Sequence, residues 1–254
     1  MFGRGVIGPE IEGPSTTPSD LMSTTHIDDQ REVGQIVRDH PSVGSVFETF
    51  GIDYCCNGDR SLREAATAEG VDPTQLIREL ESSTAEEETP EKWDSLEELI
   101  EHVESTHHDH LRGELPSLSE LVAKVRVVHA DDHPELAAVH RTFNDLADEM
   151  LTHIREEEVN AFPIIVKVDR GEPLNEDEQR RLQEELRGLE EDHEDTAANL
   201  DRLDELTEGF TVPDGACPSY ELMLERLAGL KSYTHQHVHK ENNVLFRDVE
   251  SQLA

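Results

Sequence analysis

From Leu96 onward the chain repeats apolar residues every three or four positions, in four long runs separated by polar breaks. The first run, residues 96–128, carries Leu99, Ile100, Val103, Leu111, Leu115, Leu118 and Val122, and Pro116 is expected to kink it. The second starts near Pro134 and carries Phe143, Leu146, Met150, Ile154 and Ile164, until "DRGEPLNEDE" breaks it. The third fills residues 176–207, "GFTVPDGACPS" interrupts, and the fourth spans residues 220–249. Strand-like alternation nowhere competes with this period, so the chain reads as all-α. Four long helices with short breaks predict an antiparallel four-helix bundle over residues 96–252.

A shorter pattern precedes it. "REVGQIVRDHPSVGSVFETFGIDYCCNGD" predicts one helix around Val33, Ile36 and Val37 and another around Val43, Val46, Phe47 and Phe50. Asn57-Gly58 marks a turn, Ser61 with Glu64 forms a capping box, and Asp72-Pro73 reads as N-cap and first helical residue. These features delimit a small helical domain over residues 28–80. The acidic, small-residue stretch 81–95 reads as a linker. Residues 1–27 are rich in Gly, Pro, Ser and Thr without the apolar segment of a secretory signal, and read as a flexible tail or as an over-extended gene start ahead of Met22.

One position disturbs the bundle pattern. The stripe of the third run is Leu182, Leu186, Leu189, His193, Ala197, Leu200, Leu203, with a histidine in the middle of the seam. The second run holds "HIREEEVNAF", with His153, then Glu157 four residues on and Phe162 nine on; the fourth holds "HVHKENNVLF", with His237, Glu241 and Phe246 at the same spacing. A spacing of four puts each His and Glu on one helical face. His193 precedes His237 by 44 residues, and His108 precedes His153 by 45. The domain is therefore two similar helix pairs, each offering one His and one His-x-x-x-Glu. In the first run the stripe alone does not separate His107 from His108.

Any one of these histidines could be an ordinary core residue with a hydrogen-bond partner. Four imidazoles and two carboxylates in one core are different, because buried charge would lack enough counter-charge. Two metal ions, each bound by imidazoles and bridged by the carboxylates, resolve it. Such a set leaves coordination positions open, unlike a closed structural zinc site, and suits iron or manganese.

Charge narrows the partners. Fifty-eight acidic residues against 22 basic ones give a net charge of −36. That surface repels nucleic acid and anionic membranes. Lysine is scarce, an acidic and Lys-poor balance that resembles proteins of salt-loving microbes. No apolar run is long enough for a membrane helix, and three cysteines, two of them adjacent, make no secreted disulfide framework; a cytoplasmic protein is expected.

"HHDHLRGELPSL", "HIREEEVNAFP", "EEDHEDTA" and "HVHKENNVLF" together resemble a hemerythrin-like domain. Preceded by "HPSVGSVFETFGIDYCCNG", they resemble the repair of iron centres family, di-iron proteins that repair iron–sulfur clusters. The resemblance runs from about Val33 to Val249. It departs at Asn57-Gly58, where the family has two glycines, and at Arg247, where proline is usual. It implies two iron ions in an oxo- or hydroxo-bridged di-iron centre, with His108, His153, His193 and His237 as terminal ligands and Glu157 and Glu241 bridging. The family register selects His108 over His107. The neighbouring His107, His110, His235 and His239 are then expected on solvated faces. The implied function is repair of clusters damaged by nitric oxide or peroxide, with the protein's own iron as source, damaged iron–sulfur proteins as partners, and a homodimer through the N-terminal units. A hemerythrin-like oxygen or nitric oxide sensor or store, and a di-iron nitric oxide or peroxide reductase, are the alternatives.

Cys55 and Cys56 are neighbours, so a disulfide between them would be strained. As thiolates they could hold iron in transit, trap nitric oxide or dock a partner; as a pair of small buried hydrophobes they would do none of these. The family likeness favours a redox or iron-transfer role. Cys217 is expected to make at most a contact near the domain seam.

Overall fold

A computed structural model describes residues 26–84 and 92–253. The predicted tail up to residue 25, including the Met22 start, and the middle of the predicted linker lie outside the described residues. Ile27, placed in the tail by composition, is fully buried, and its N–H donates to Glu81 at 3.2 Å.

The N-terminal unit comprises α1 (Val33–Asp39), a 3-10 turn (Pro41–Val43), α2 (Gly44–Thr49), α3 (Leu62–Ala68) and α4 (Pro73–Ser83). Its start signals act as read from the chain. Ser61 and Glu64 satisfy each other's backbone N–H groups in a capping box, and the Asp72 side chain accepts from Thr74 N–H ahead of Pro73. Val33, Ile36, Val43, Phe47, Leu62, Leu76 and Leu80 make its core.

Four long helices follow: α5 (residues 96–129), α6 (136–169), α7 (Glu176–Leu206) and α8 (218–253). Among the described residues there is no strand, only an isolated bridge between Glu32 and Ser61. Side-chain pairs fix the directions. Asp169 accepts from Leu96 N–H while Ser119 meets Asn144, so α5 and α6 run antiparallel. His153 with Asp192 and Glu149 with Asn199 do the same for α6 and α7. His193 with Asn242 and Asp204 with Lys231 set α7 against α8, and Arg226 with Glu114 closes the ring from α8 to α5. Helix α5 continues through Pro116, and a π-helical turn occupies Val103–His108.

The bundle has two apolar cores, not one. Leu111, Leu118, Phe143, Met150, Leu200 and Leu227 belong to the first; Leu99, Phe162, Ile165, Leu186, Leu245 and Phe246 belong to the second. Between them, on all four helices, lies a layer of buried polar side chains. The N-terminal unit packs beside that layer. Val238 of α8 joins its core, and the Asn243 side chain donates to the carbonyls of Tyr54 at 3.3 Å and Cys55 at 2.8 Å. Gly58 is needed there, since a Cβ on it would stand 2.0 Å from Asn243 Oδ1.

Candidate metal centre

The polar layer consists of His108 on α5, His153 and Glu157 on α6, His193 on α7, and His237 and Glu241 on α8. All six are buried, with Glu157, Glu241, His108 and His237 fully so. Their donor atoms fall into two nests. His108, Glu157, His237 and Glu241 form one; His153, Glu157, His193 and Glu241 form the other.

The carboxylates belong to both nests, and each divides its oxygens between them. Glu157 presents Oε2 to His108 Nε2 at 3.3 Å and Oε1 to His153 Nε2 at 3.3 Å. Glu241 presents Oε1 to His237 Nε2 at 2.7 Å and to His108 Nε2 at 3.4 Å, and Oε2 to His193 Nε2 at 3.2 Å. Carboxylates arranged so could each lend one oxygen to a cation in either nest. Each nest then offers two imidazoles and one oxygen from each carboxylate.

The unsatisfied atoms test whether cations fit. Both oxygens of Glu157 and Oε2 of Glu241 make no aligned hydrogen bond, although fully buried. The Nε2 atoms of His153 and His193 face each other at 2.9 Å, where at most one can carry a hydrogen. Native cores seldom leave such groups unsatisfied, at a cost of about 1–3 kcal/mol each. Cations between the donors satisfy all of them, so the residues fit a metal pair. Without a cation, the imidazoles and carboxylates counter one another's charge. Burial opposes ionisation of both carboxyls, yet the facing imidazoles hold Glu157 below the usual range and Glu241 well below it. Burial likewise opposes charge on His108, but the Glu157 and Glu241 carboxylates facing it bring it up to about 10.

Local backbone structure puts the ligands there. Three of the four helices contain a π-helical turn at the layer: Val103–His108, Glu157–Ala161 and Glu241–Phe246. Glu157 and Glu241 each open such a turn, and His108 closes one. A π turn inserts a residue and widens the helix, which swings these side chains toward the bundle axis.

Outer partners fix three of the rings. His108 Nδ1 meets Glu158 at 2.9 Å, and Glu158 is held by Arg112 at 2.6 Å. His153 Nδ1 meets Asp192 at 3.3 Å, and His193 Nδ1 meets Asn242 Oδ1 at 2.8 Å. Each places the hydrogen on Nδ1 and leaves the Nε2 lone pair for the nest. Asn242 also donates through Nδ2 to the Cys55 carbonyl at 3.3 Å, so one amide joins a ring of the centre to the cysteine loop. Sequence pattern did not reveal these partners; Glu158 and Asn242 sit one residue after the carboxylates, where helical spacing alone suggests an outward face.

Two expectations need correction. His107 and His239 are buried, at 3% and 5% exposure, not solvated. His107 stacks on the His237 ring at 5.2 Å and contacts Tyr233, while Tyr54 of the N-terminal unit covers His239 at 5.6 Å. Burial drives both toward the neutral form, His107 down to about 3 and His239 to about 4. His110 is exposed and His235 half-buried. Cys217 precedes α8, packs against the first apolar core and contacts His129 Nε2 at 3.1 Å.

Cys55 is buried and Cys56 half-buried, both as free thiols with sulfurs 3.8 Å apart. The hydrogen bond with Cys56 and burial push the Cys55 thiol well above its usual range. Asp53 Oδ1 accepts from the backbone N–H of both cysteines and from the Cys55 thiol.

Comparison with known proteins gives two family matches. Residues 99–249 match the hemerythrin HHE cation binding domain, and residues 29–84 match a domain of unknown function, DUF542. The iron–sulfur cluster repair protein ScdA of Staphylococcus epidermidis is 31% identical over 221 residues, which cover 85% of this chain and 96% of that protein. ScdA of Staphylococcus haemolyticus is 34% identical over 216 residues, covering 84% and 95%. The iron–sulfur cluster repair protein YtfE of Dickeya chrysanthemi is 29% identical over 226 residues, covering 87% and 96%.

Proposed function

Because the chain belongs to the repair of iron centres family of iron–sulfur cluster repair proteins, we propose that it restores clusters damaged by nitrosative or oxidative stress by supplying iron from a two-iron centre. His108 and His237 would hold one iron, His153 and His193 the other, and Glu157 and Glu241 would each lend an oxygen to both. The observation that carries the reading is the division of each carboxylate's oxygens between the two nests.

Bound there, iron supplies a redox-active Lewis-acidic pair with open coordination positions. The residues determine how firmly it is held. Each nest offers four donors, short of the six that iron commonly takes, so the ions are bound without being caged. Glu158, Asp192 and Asn242 hold three rings in the binding tautomer, while His237 Nδ1 has no partner and its ring is steered by packing against His107 and His108. The apolar cores above and below keep bulk water from the donors. Iron is cargo here as well as cofactor, and a damaged iron–sulfur protein is its destination. A simple gas carrier has no need of the Cys55–Cys56 loop tied to the centre through Asn242.

The test is transfer. Protein loaded anaerobically with ferrous iron is mixed with a cluster protein previously damaged by nitric oxide, and recovery of the acceptor's activity and iron is followed. The reading predicts recovery with stoichiometric loss of iron from this protein, absent in Glu157→Ala. Retention of all iron while reductant turns over would refute it.

A further inference from the structure

We propose that Cys55 and Cys56 form a second metal site, a two-thiol chelate for a soft divalent cation such as ferrous iron, opening on an acidic cleft beside the bundle centre. The bite is right. With metal–sulfur bonds of about 2.3 Å and a tetrahedral angle, two ligating sulfurs stand about 3.8 Å apart. Cys55 Sγ and Cys56 Sγ are 3.8 Å apart. Two thiols in plain contact can show the same distance, so the surroundings decide.

Three features of the surroundings favour a metal. First, a carboxylate stands with the sulfurs: Asp53 Oδ1 is 3.2 Å from Cys55 Sγ, and the three side chains together form a ligand-forming group. Second, the loop is rigid before any metal arrives. Asp53 gathers the N–H groups of Cys55 and Cys56, while Asn242 and Asn243 hold the Cys55 carbonyl. A chelate whose geometry is already set binds without first paying for order. Third, both cysteines line a cleft of about 500 Å³ shared with Glu190, Glu194, Asn242 and Glu250. Glu190 and Glu194 flank His193 on α7, so carboxylates that attract cations run from the side of the bundle centre to the thiols.

Binding is an exchange of protons for metal: M²⁺ and two thiols give a dithiolate complex and two protons, which leave to solvent, and no electron moves. The Cys55 thiol already donates to Asp53, which passes that proton on to solvent and is an ionised carboxylate again when the metal is bound. Asp53 and an open position toward the cleft complete the coordination and leave the ion exchangeable. The use of this site as a way-station for outgoing iron rests on the repair reading above; the existence of the site does not.

Cadmium is the probe, because cadmium–thiolate absorption in the near ultraviolet reports sulfur ligation directly. The full-length, iron-loaded protein is titrated without oxygen, with the iron spectrum followed in parallel. Saturation at about one cadmium per chain, with about two protons released and the iron spectrum unchanged, is expected. The band should vanish in Cys55→Ser/Cys56→Ser, whose retained iron spectrum shows that it has folded. It should persist in Cys217→Ser and in iron-free Glu157→Ala. No band in the parent protein, or a band surviving in the double serine variant, would overturn the proposal. Where the band is present but iron never reaches an acceptor, the repair reading fails and the thiol site stands.

Discussion

Replacing Asn242 by alanine separates the two jobs of one side chain. In the folded protein its Oδ1 accepts from His193 Nδ1 at 2.8 Å, and its Nδ2 donates to the Cys55 carbonyl at 3.3 Å. The second bond is long and redundant, since Asn243 holds the same carbonyl at 2.8 Å. The first is not. Without it a buried imidazole N–H loses its acceptor, a loss of about 1–3 kcal/mol, or the ring turns and its lone pair leaves the nest. Loss of an outer partner to a metal-binding histidine typically weakens metal binding about 10–100-fold, or about 1.4–2.7 kcal/mol. The expected result is weaker binding of the iron served by His153 and His193, measured by competition with a calibrated ferrous chelator. Hydrogen exchange over residues 52–58 should remain near that of the parent. Asn243→Ala should do the reverse, loosening the cysteine loop while leaving iron affinity within about threefold. Unchanged affinity in Asn242→Ala would mean that this amide does not orient His193 toward a metal, and the reasoning about ring orientation would fall.

Further outcomes follow from the same geometry. Gly58→Ala puts a Cβ 2.0 Å from Asn243 Oδ1 and 2.8 Å from the Tyr54 carbonyl; overpacking should cost about 1–3 kcal/mol and lower the protease resistance of the N-terminal unit before that of the bundle. Metal-free protein should show a maximum of thermal stability near pH 6.5. On the acid side the depressed Glu157 and Glu241 stabilise above their unfolded value of about 4.5, and the depressed His107 and His239 stabilise above about 6.5, so both contributions are lost as pH falls. On the alkaline side His108, raised to about 10, stabilises fully below about 6.5 and loses that contribution as pH climbs toward 10. A melting temperature that rises steadily to pH 10 would contradict this. Finally, a net charge of −36 should make stability rise with salt; at 1 M the screening length is about 3 Å, and a melting temperature unmoved between 0.1 and about 1 M would show that self-repulsion is minor.

The repeated His and His-x-x-x-Glu were legible in the chain because a helix converts spacing into facing, and because a histidine in an aliphatic seam is conspicuous. Helix ends were legible where a side chain caps them, as at Ser61 and Asp72. The π turns were not legible. A stripe that already steps by three or four absorbs one inserted residue without a visible break, so Val103–His108 looks like ordinary helix. His107, inside the π turn Val103–His108, lies under His237 and Tyr233 of α8, and His239 escaped for a second reason. Helical spacing predicts which residues share a face, but not which faces are covered. The N-terminal unit lies across α8 and turns its outer side into an interior, which no pattern within α8 records. Asn242 is the same case, a polar residue whose meaning depends on a loop 187 positions away.

Metal content with the visible spectrum, taken on protein purified in molar salt beside Glu157→Ala and His193→Ala, tests the central claim most directly. The account predicts about two irons per chain, with the iron spectrum lost or halved in content in either variant. A single tightly held zinc, or iron content indifferent to both substitutions, would contradict it.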